Sequence, residues 1–418
     1  MNRLVLFFCF CIPTVLVAQD ITYARALVDT LTTQYFSGRG SANNGEKKAA
    51  NYIANEFQKM GLKAFSANYF QFFNSPINTF PGAMDVELDN LKLVAGEDFL
   101  VGPSSIGING EFQIEWFDAK NIPSKKRLEK MVARNFFSQK FIVVDQEGVD
   151  KDDPIFRLLK GNSINAAGII MLKDKLTHSL SKKRKGFVTL YVKKGSINKS
   201  NKIIKADIQQ KFMGDYQSQN VMGYVVGNEY PDSIVLLSAH YDHLGKMGQH
   251  VFFPGANDNA SGVAMLLNLV KHYTQKESPS KTIVFVAFGA EEIGLVGSQY
   301  FVNHLPFKLG KINFVFNMDL LGTGSEGATI VNGKMFEMHF EKLTKINQEK
   351  KYLTTLKKRG KAANSDHYWF SENGIPAFFM YLMGGISAYH DIDDVAKTLP
   401  LTKFEDSFRL IRDFVDEL

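Results

Sequence analysis

The apolar positions along the chain follow two different patterns. From residue 220 onward, apolar runs of strand length alternate with stretches whose apolar residues recur at helical spacing. The apolar runs predict strands at 221–226, 234–239, 282–288, 312–318, 328–331 and 377–381. The stretches between them predict helices at 260–273, 295–303, 334–348, 367–373 and 402–415. This alternation is typical of an α/β fold, with a mixed, largely parallel sheet and helices on both faces.

The part of the chain before residue 220 has a different character. Helical spacing predicts helices at 23–31 and 49–60, with Gly61 as the C-terminal cap of the second. Between residues 81 and 213 the apolar runs are short and separated by Gly, Pro and Asn, which predicts a β-rich module. We therefore expect one domain made of residues 19–80 and 214–418, interrupted by an inserted domain at 81–213.

Residues 1–18 have the pattern of an export signal. Arg3 is followed by an almost wholly apolar run, and Ala18 ends a plausible cleavage site. The run is shorter than the roughly 20 residues of a membrane span. We expect an exported, periplasmic or extracellular protein that is not held in a membrane after cleavage. Both cysteines lie in this segment, so a metal in the mature chain would bind to His, Asp and Glu.

The overall charge adds little to this picture. The sequence has 49 Lys and Arg against 43 Asp and Glu, a net charge of +6. This excess is modest for 418 residues and gives no reason to expect a nucleic-acid partner. The oligomeric state is left open by the sequence.

Acids and imidazoles follow the predicted strands at the ends where function concentrates in parallel sheets. His240 and Asp242 follow the strand at 234–239, and Asp319 follows the strand at 312–318. The other segments contribute Asp258, the pair Glu291 and Glu292, and the pair Tyr389 and His390. Each residue alone also suits a helix cap or a loop. Together they predict a metal site, because crowded acids repel one another unless cations lie between them.

The types and number of these residues narrow the choice of metal. Imidazole and carboxylate ligands without sulfur suit zinc well, and cobalt or manganese less well. The candidate ligands are too many for one tetrahedral ion. A pair of Zn²⁺ ions about 3.5–4 Å apart, bridged by one carboxylate and one water, fits their number better.

Several motifs resemble those of the M28 family of zinc aminopeptidases, and they occur in the family's order. The segment Ser37-Gly-Arg39 near the start also resembles this family, and the middle module weakly resembles a protease-associated domain. The main motifs are Ser238-Ala-His-Tyr-Asp-His-Leu-Gly245, Gly255-Ala-Asn-Asp-Asn-Ala-Ser-Gly-Val263, Phe288-Gly-Ala-Glu-Glu-Ile-Gly-Leu-Val-Gly-Ser298, Asn317-Met-Asp319 and Tyr389-His390.

The resemblance implies a role for each matched residue. Two zinc ions would be bound by His240, Asp258, Glu292, Asp319 and His390, and Asp258 would bridge both. The peptide bond from Asp258 to Asn259 would be cis. Glu292 and His390 would complete one site, and His240 and Asp319 the other. Glu291 would be the general base, and Tyr389 would donate to the substrate carbonyl oxygen. Asp242 would orient His240 through the second ring nitrogen, while His243 would line the pocket or pack locally.

The implied activity is removal of N-terminal residues from peptides with a free N-terminus. A glutaminyl cyclase-like enzyme with one zinc ion, a carboxypeptidase of the same fold and a non-catalytic receptor are the alternatives. A serine hydrolase is not expected, because the chain has no G-x-S-x-G motif and the adjacent residues Ser365-Asp-His367 cannot form a triad by themselves. No His is followed by Glu, which excludes an H-E-x-x-H metalloprotease.

Overall fold

The computed structural model of the protein describes residues 21–150, 152–275 and 278–418. The predicted export signal at 1–18 lies outside these residues. The predicted helices are present, with ends shifted by a few residues, and two more occur in the inserted module. The helices are α1 (Ile21–Leu31), α2 (Gly45–Lys59), α3 (Lys125–Ala133), α4 (Pro154–Lys160), α5 (Gly262–Gln275), α6 (Val296–Asn303), α7 (Glu337–Lys350), α8 (His367–Glu372) and α9 (Phe404–Asp416).

The strands include all those predicted from apolar runs and several that the pattern did not predict, among them β1. They are β1 (Phe70–Thr79), β2 (Met84–Leu88), β3 (Leu91–Leu93), β4 (Phe99–Val101), β5 (Ile108–Phe117), β6 (Lys140–Val144), β7 (Gly168–Lys173), β8 (Val188–Lys193), β9 (Ile203–Ile208), β10 (Lys211–Val225), β11 (Tyr230–His240), β12 (Lys246–Met247), β13 (Val251–Phe252), β14 (Lys281–Phe288), β15 (Ile312–Met318), β16 (Ala328–Val331), β17 (Leu356–Lys358) and β18 (Ala377–Leu382).

The larger domain is built on a mixed sheet with the strand order β1-β10-β14-β11-β15-β18-β16-β17. Its centre is parallel, because β11 pairs in parallel with both β14 and β15, and β15 pairs in parallel with β18. Strands β1 and β10 form an antiparallel edge. The predicted mixed, largely parallel sheet is confirmed.

Helices cover both faces of this sheet, as continuous apolar strands require. Along β11, Val235, Leu237 and Ala239 pack in one core with helices α1, α2, α5, α7 and α9. The intervening Ile234 and Leu236 pack in a second core with Phe301 of α6 and Phe370 of α8. Side chains of a strand alternate between faces, so burial on both sides makes the run 234–239 apolar apart from Ser238, up to the end of the strand at His240.

The inserted module contains a second sheet with the order β3-β2-β9-β5-β6-β7-β8-β4. This sheet begins at Met84 and ends at Ile208, inside the predicted limits of 81 and 213. It has its own buried apolar core, to which Leu244, Met247 and Phe253 of the larger domain also contribute. The inserted module therefore packs against the segment that follows β11.

No helix among the described residues is long and apolar enough to cross a lipid bilayer.

Candidate metal centre

The parallel register brings the predicted site residues to one edge of the sheet. His240 pairs with Phe288 of β14, and Ser238 pairs with Asn317 of β15. Glu291 and Glu292 therefore follow the end of β14 beside His240, and Asp319 follows the end of β15. Together with Asp258, Tyr389 and His390, these residues line one cavity of about 400 Å³.

Asp258 lies in a tight turn just before α5. Gly255 begins the turn with φ 61°, and a Cβ atom at this position would lie 2.1 Å from the Asp258 carbonyl oxygen. Only glycine fits there. The carboxylate of Asp394 accepts hydrogen bonds from the main-chain N–H groups of Asn257 and Asp258 at 2.8 and 2.9 Å. The peptide bond from Asp258 to Asn259 is cis, as the resemblance implied.

Arg39 holds the same turn from its other side. The guanidinium is fully buried and donates to the main-chain oxygens of Gly255 at 2.7 Å and Asp258 at 3.1 Å. It also donates to the carbonyl oxygens of Leu31, Tyr241 and Pro254. This network explains why the Ser37-Gly-Arg39 motif and the Asp258 turn occur in the same chain.

The two carboxylate oxygens of Asp258 face different imidazoles. Nε2 of His240 lies 3.3 Å from Oδ1 of Asp258 and 3.4 Å from Oδ1 of Asp319. Nε2 of His390 lies 3.0 Å from Oδ2 of Asp258 and 3.3 Å from Oε2 of Glu292. Two ligand atoms at about 2.0–2.1 Å from one tetrahedral ion lie roughly 3.3–3.4 Å apart. The spacing in both groups fits a metal ion.

The remaining ring nitrogens of the two histidines are held by carbonyl groups. Nδ1 of His240 lies 3.1 Å from the main-chain oxygen of Asp242, and Nδ1 of His390 lies 3.2 Å from that of His178. A carbonyl oxygen only accepts, so each Nδ1 carries the proton. In the neutral ring Nε2 then has its lone pair directed at carboxylate oxygens, an arrangement that suits a cation between them.

Asp242 contacts the second ring nitrogen of His240, as predicted, but through its main-chain oxygen and not through its carboxylate. The Asp242 carboxylate is 3.9 Å from Nδ1 of His240, and the main-chain oxygen makes the closer contact. The carboxylate instead accepts the N–H groups of Glu291 at 3.0 Å and Glu292 at 3.1 Å. Two adjacent N–H groups bind both oxygens of one carboxylate well, so Asp242 fixes the loop that carries the predicted base.

His243 and Ser365 contact carboxylates of the cluster. Nδ1 of His243 lies 2.7 Å from Oε1 of Glu292, the oxygen that does not face His390. Ser365 donates to Oδ2 of Asp319 at 3.0 Å and accepts from Asn317. The Ser365-Asp-His367 motif thus supports an acid of the cluster. His243, His178, Asp394 and Ser365 all hold predicted ligands or their loops, and only His243 and Ser365 lie in motifs that the sequence singled out.

The electrostatics of the cluster reflect acids crowded in a buried place. Burial, together with the charge of Asp258, raises the pKa of Glu292 to about 7. Burial also raises the pKa of Glu291, and the nearby negative charge of Glu292 raises it further. Burial alone lowers the pKa of His240, but the charges of Asp319 and Glu291 outweigh it and raise that pKa. Divalent cations would relieve this crowding.

Tyr389 lines the cavity beside these acids. Its ring stacks on that of His390, with centroids 4.0 Å apart, and the side chain is 47% exposed. Burial and the nearby negative charges raise the pKa of its hydroxyl, so that it remains a proton donor.

Known proteins resemble the part of this chain that carries the cluster. The model of peptidase family M28 matches residues 220–415, the part of the chain that carries the cluster. This part of the chain resembles peptidase family M28. Among the relatives, the aminopeptidase YwaD of Bacillus subtilis is 33% identical over 236 residues, which are 52% of this chain and 49% of YwaD. The vacuolar membrane protease of Candida dubliniensis is 35% identical over 28% of this chain and 11% of its own length.

The alignments with these relatives thus span about half of the length of YwaD and far less of the vacuolar protease. Solved structures match almost the whole fold. BSAP, a zinc aminopeptidase from Bacillus subtilis, superposes with a TM-score of 0.73 at 21% identity, over 96% of this chain and 95% of BSAP. An M28 peptidase precursor from Shewanella amazonensis superposes with a TM-score of 0.69 at 16% identity, over 95% of this chain and 92% of its own. At these identities the likeness shows the fold alone.

Proposed function

We propose that this chain is a zinc-dependent aminopeptidase with two metal ions. The observation that carries the proposal is the use of both oxygens of Asp258, one toward His240 and Asp319, the other toward His390 and Glu292. A single ion would engage only one of these groups. The name of YwaD as an aminopeptidase and that of BSAP as a zinc aminopeptidase support the same choice of metal and reaction.

The ligand atoms are of the type that zinc prefers. His240 and His390 would each bind through Nε2, and Asp258, Glu292 and Asp319 through carboxylate oxygens. His243 lies near the same site, with Nδ1 2.7 Å from Oε1 of Glu292 and 3.9 Å from Oδ1 of Asp258, and in this proposal it holds Glu292 while His390 binds the ion. Zinc bound at these residues would acidify a water molecule and polarise the carbonyl group of the scissile bond.

Glu291 is the proton carrier in this proposal. It lies in the cavity beside the predicted ligands, and its main-chain N–H is fixed by the Asp242 carboxylate at 3.0 Å. The side chain would take a proton from the attacking water and give it to the departing amine nitrogen. A pKa raised by burial favours a carboxylate that can hold this proton between the two steps.

Tyr389 and the acids of the cavity would bind the rest of the substrate. The Tyr389 hydroxyl would donate a hydrogen bond to the carbonyl oxygen as negative charge develops on it. The carboxylates give the cavity a negative character that suits the ammonium group of a free N-terminus. Substrates with a blocked N-terminus would lose this attraction.

A digest of defined peptides read by mass spectrometry tests the proposal. Peptides with a free N-terminus, an acetylated N-terminus or an N-terminal glutamine are incubated with the zinc-loaded protein, with chelator, and after zinc is restored. Loss of the N-terminal residue from free peptides alone, abolished by chelator and restored by zinc, is the expected result. Loss of ammonia from the glutamine peptide would indicate a cyclase, and loss of the C-terminal residue a carboxypeptidase. Either result would contradict the proposal.

We also propose that the protein is exported through the segment 1–18, and that 81–213 forms an inserted domain beside the catalytic one. Export is supported by the apolar run after Arg3 and the small residue Ala18. The mature N-terminus, determined by mass spectrometry on protein purified from its native cells, should begin just after Ala18. A mature protein that retains residues 1–18 would contradict cleavage.

A further inference from the structure

Most residues around the cavity fall into two groups of different chemistry, and Gly294, Leu295, Leu320 and Tyr389 complete its lining. The first group is the acid and imidazole cluster described above. The second is formed by Arg359, Ala363 and Asn364 after β17, and by Phe379 and Tyr381 of β18. The reaction proposed above uses the first group and Tyr389. The second group must face whatever part of a substrate is not held at the predicted metal ligands.

The aromatic part of this second group is fixed by the sheet. Phe379 and Tyr381 are two residues apart on β18, so they lie on the same face, with ring centroids 5.4 Å apart. The intervening Met380 packs in the core on the opposite face. Phe379 also packs against the buried ring of His367. These rings form a firm apolar wall that suits methylene groups of a substrate.

Arg359 is the one Lys or Arg side chain among the residues that line this cavity in the described chain. Its main chain is held, because its N–H donates to the Ile330 oxygen and its own oxygen accepts from Lys334. Its exposed guanidinium makes no hydrogen bond or ion pair with a residue of 21–150, 152–275 or 278–418. Burial is the main cause of the lowered pKa of His367, which lies behind Phe379, and the positive charge of Arg359 lowers that pKa further.

Two cations near Arg359 in sequence are paired with acids. Lys358 forms an ion pair with Glu337, and Lys361 forms one with Glu372. Neither lines the cavity, and neither does Lys357. The basic run 357–361 is therefore not uniform. Lys358 and Lys361 are paired with acids, whereas neither Lys357 nor Arg359 pairs with an acid among the described residues, and of these two only Arg359 lines the cavity.

We propose that Arg359 binds a carboxylate group of the substrate while the peptide bond to be cleaved lies at the acid and imidazole cluster. This inference rests on the function proposed above and adds the substrate class. A guanidinium binds a carboxylate through two parallel hydrogen bonds, and Asn364 beside it supplies a further donor. The carboxylate belongs either to an acidic N-terminal side chain or to the C-terminus of a very short peptide. A cavity of about 400 Å³ suits such small ligands.

Paired substrates that differ only in one negative charge test this inference. Glutamyl-p-nitroanilide is compared with glutaminyl-p-nitroanilide for the side chain, and Leu-Gly with Leu-glycinamide for the terminal carboxylate. Leucyl-p-nitroanilide is the neutral reference. The proteins are the zinc-loaded wild type, Arg359→Met, Arg359→Lys and the control Lys357→Met, which removes an exposed charge from the same run but outside the cavity.

We expect the wild type to prefer the charged member of one pair by about tenfold in kcat/KM, a moderate effect because Arg359 is exposed. Arg359→Met should reduce that preference to about one, through a higher KM for the charged substrate. Arg359→Lys should keep part of it, and Lys357→Met all of it. Free glutamate should inhibit the wild type more strongly than free glutamine if the side chain is the source, and equally if the peptide C-terminus is.

Two results would overturn the inference while leaving the proposed function intact: no preference for either charged substrate in a wild type that cleaves the neutral reference, or a preference that survives in Arg359→Met. Failure of the wild type to release leucine from the neutral reference would instead contradict the proposed aminopeptidase function itself, and the carboxylate site with it.

Discussion

The main-chain oxygen of His178 accepts a hydrogen bond from Nδ1 of His390, and the His178 N–H donates to the His390 oxygen at 2.8 Å. His178 belongs to the inserted module, whereas His390 lies in the predicted metal cluster. The His178 ring is buried and stacks on Phe253, with centroids 4.9 Å apart, which holds this main-chain contact in place. The inserted module therefore orients a predicted ligand directly.

Lys175 strengthens the same contact and gives the first prediction. Its ammonium group lies 2.6 Å from Oδ2 of Asp391 and donates to the Ser387 oxygen at 2.7 Å. Lys175→Met should loosen the loop around His390 and speed zinc release to a chromogenic chelator by about three- to tenfold, less than for loss of a direct contact to a ligand. Lys183→Met, an exposed change in the same module, is the control. Equal release rates for all three proteins would show that the contact does not support the metal.

Arg39 is predicted to be essential for stability. Its replacement by Met would leave the buried carbonyl oxygens of Tyr241, Pro254 and Gly255 without their donor. We expect destabilisation by about 3 kcal/mol or more, measured by urea unfolding of the zinc-free protein. The exposed Arg359→Met variant should change stability by less than about 0.5 kcal/mol. Similar unfolding curves for Arg39→Met and wild type would contradict this role.

Glu46 is predicted to make stability depend on pH. It is buried at the start of α2 and accepts hydrogen bonds from Tyr216 and Ser218. Burial, and then the charge of Asp242, raise its pKa from 4.5 to about 8. Between these values the unfolded chain loses a proton that the folded protein keeps, so stability falls as pH rises from about 4.5 to 8.

Glu46→Gln should remove this part of the pH dependence. We expect the thermal unfolding midpoint of the variant to rise relative to that of wild type from pH 5 through pH 6.5 to pH 8. The exposed Glu341→Gln variant controls for the change of charge alone. Midpoints of Glu46→Gln and wild type that run in parallel would mean that Glu46 keeps an ordinary pKa in the folded protein.

Asp258 is predicted to hold both ions at once. Because its two oxygens face separate imidazoles, Asp258→Ala should lower the zinc content from about two to near zero per chain, in dialysed protein measured by atomic emission. Asp393→Ala, an exposed acid near His390, should keep both ions. Retention of one tightly bound ion in Asp258→Ala would contradict the bridge.

The central sheet was predictable because each of its inner strands is buried on both faces. The runs that end at His240, Phe288 and Met318 are therefore mainly apolar, and the acids and imidazoles at or just beyond their ends mark where the strands stop. Strand β1 was missed. Its pattern of burial is irregular and it contains Pro76, so that neither alternation nor an apolar run identifies it.

The supporting contacts could not be predicted from local pattern. Asp394 and His178 reach the cluster through contacts across more than 130 residues of sequence, and the groups that matter at His178 are main-chain atoms. Every residue has a main-chain oxygen, so the residue type does not indicate which of these oxygens holds a ligand. The same reason explains why the predicted contact of Asp242 with His240 differs in its atoms.

The rate of N-terminal residue release by Glu291→Gln protein, at a zinc content equal to that of wild type, tests the central claim most directly. Gln has the shape of Glu but cannot accept the proton of the attacking water. The account predicts unchanged zinc content and a rate of peptide cleavage lower by about a thousandfold or more, in line with the loss of general base catalysis at a metal centre. Near-normal cleavage by fully loaded Glu291→Gln protein would contradict it.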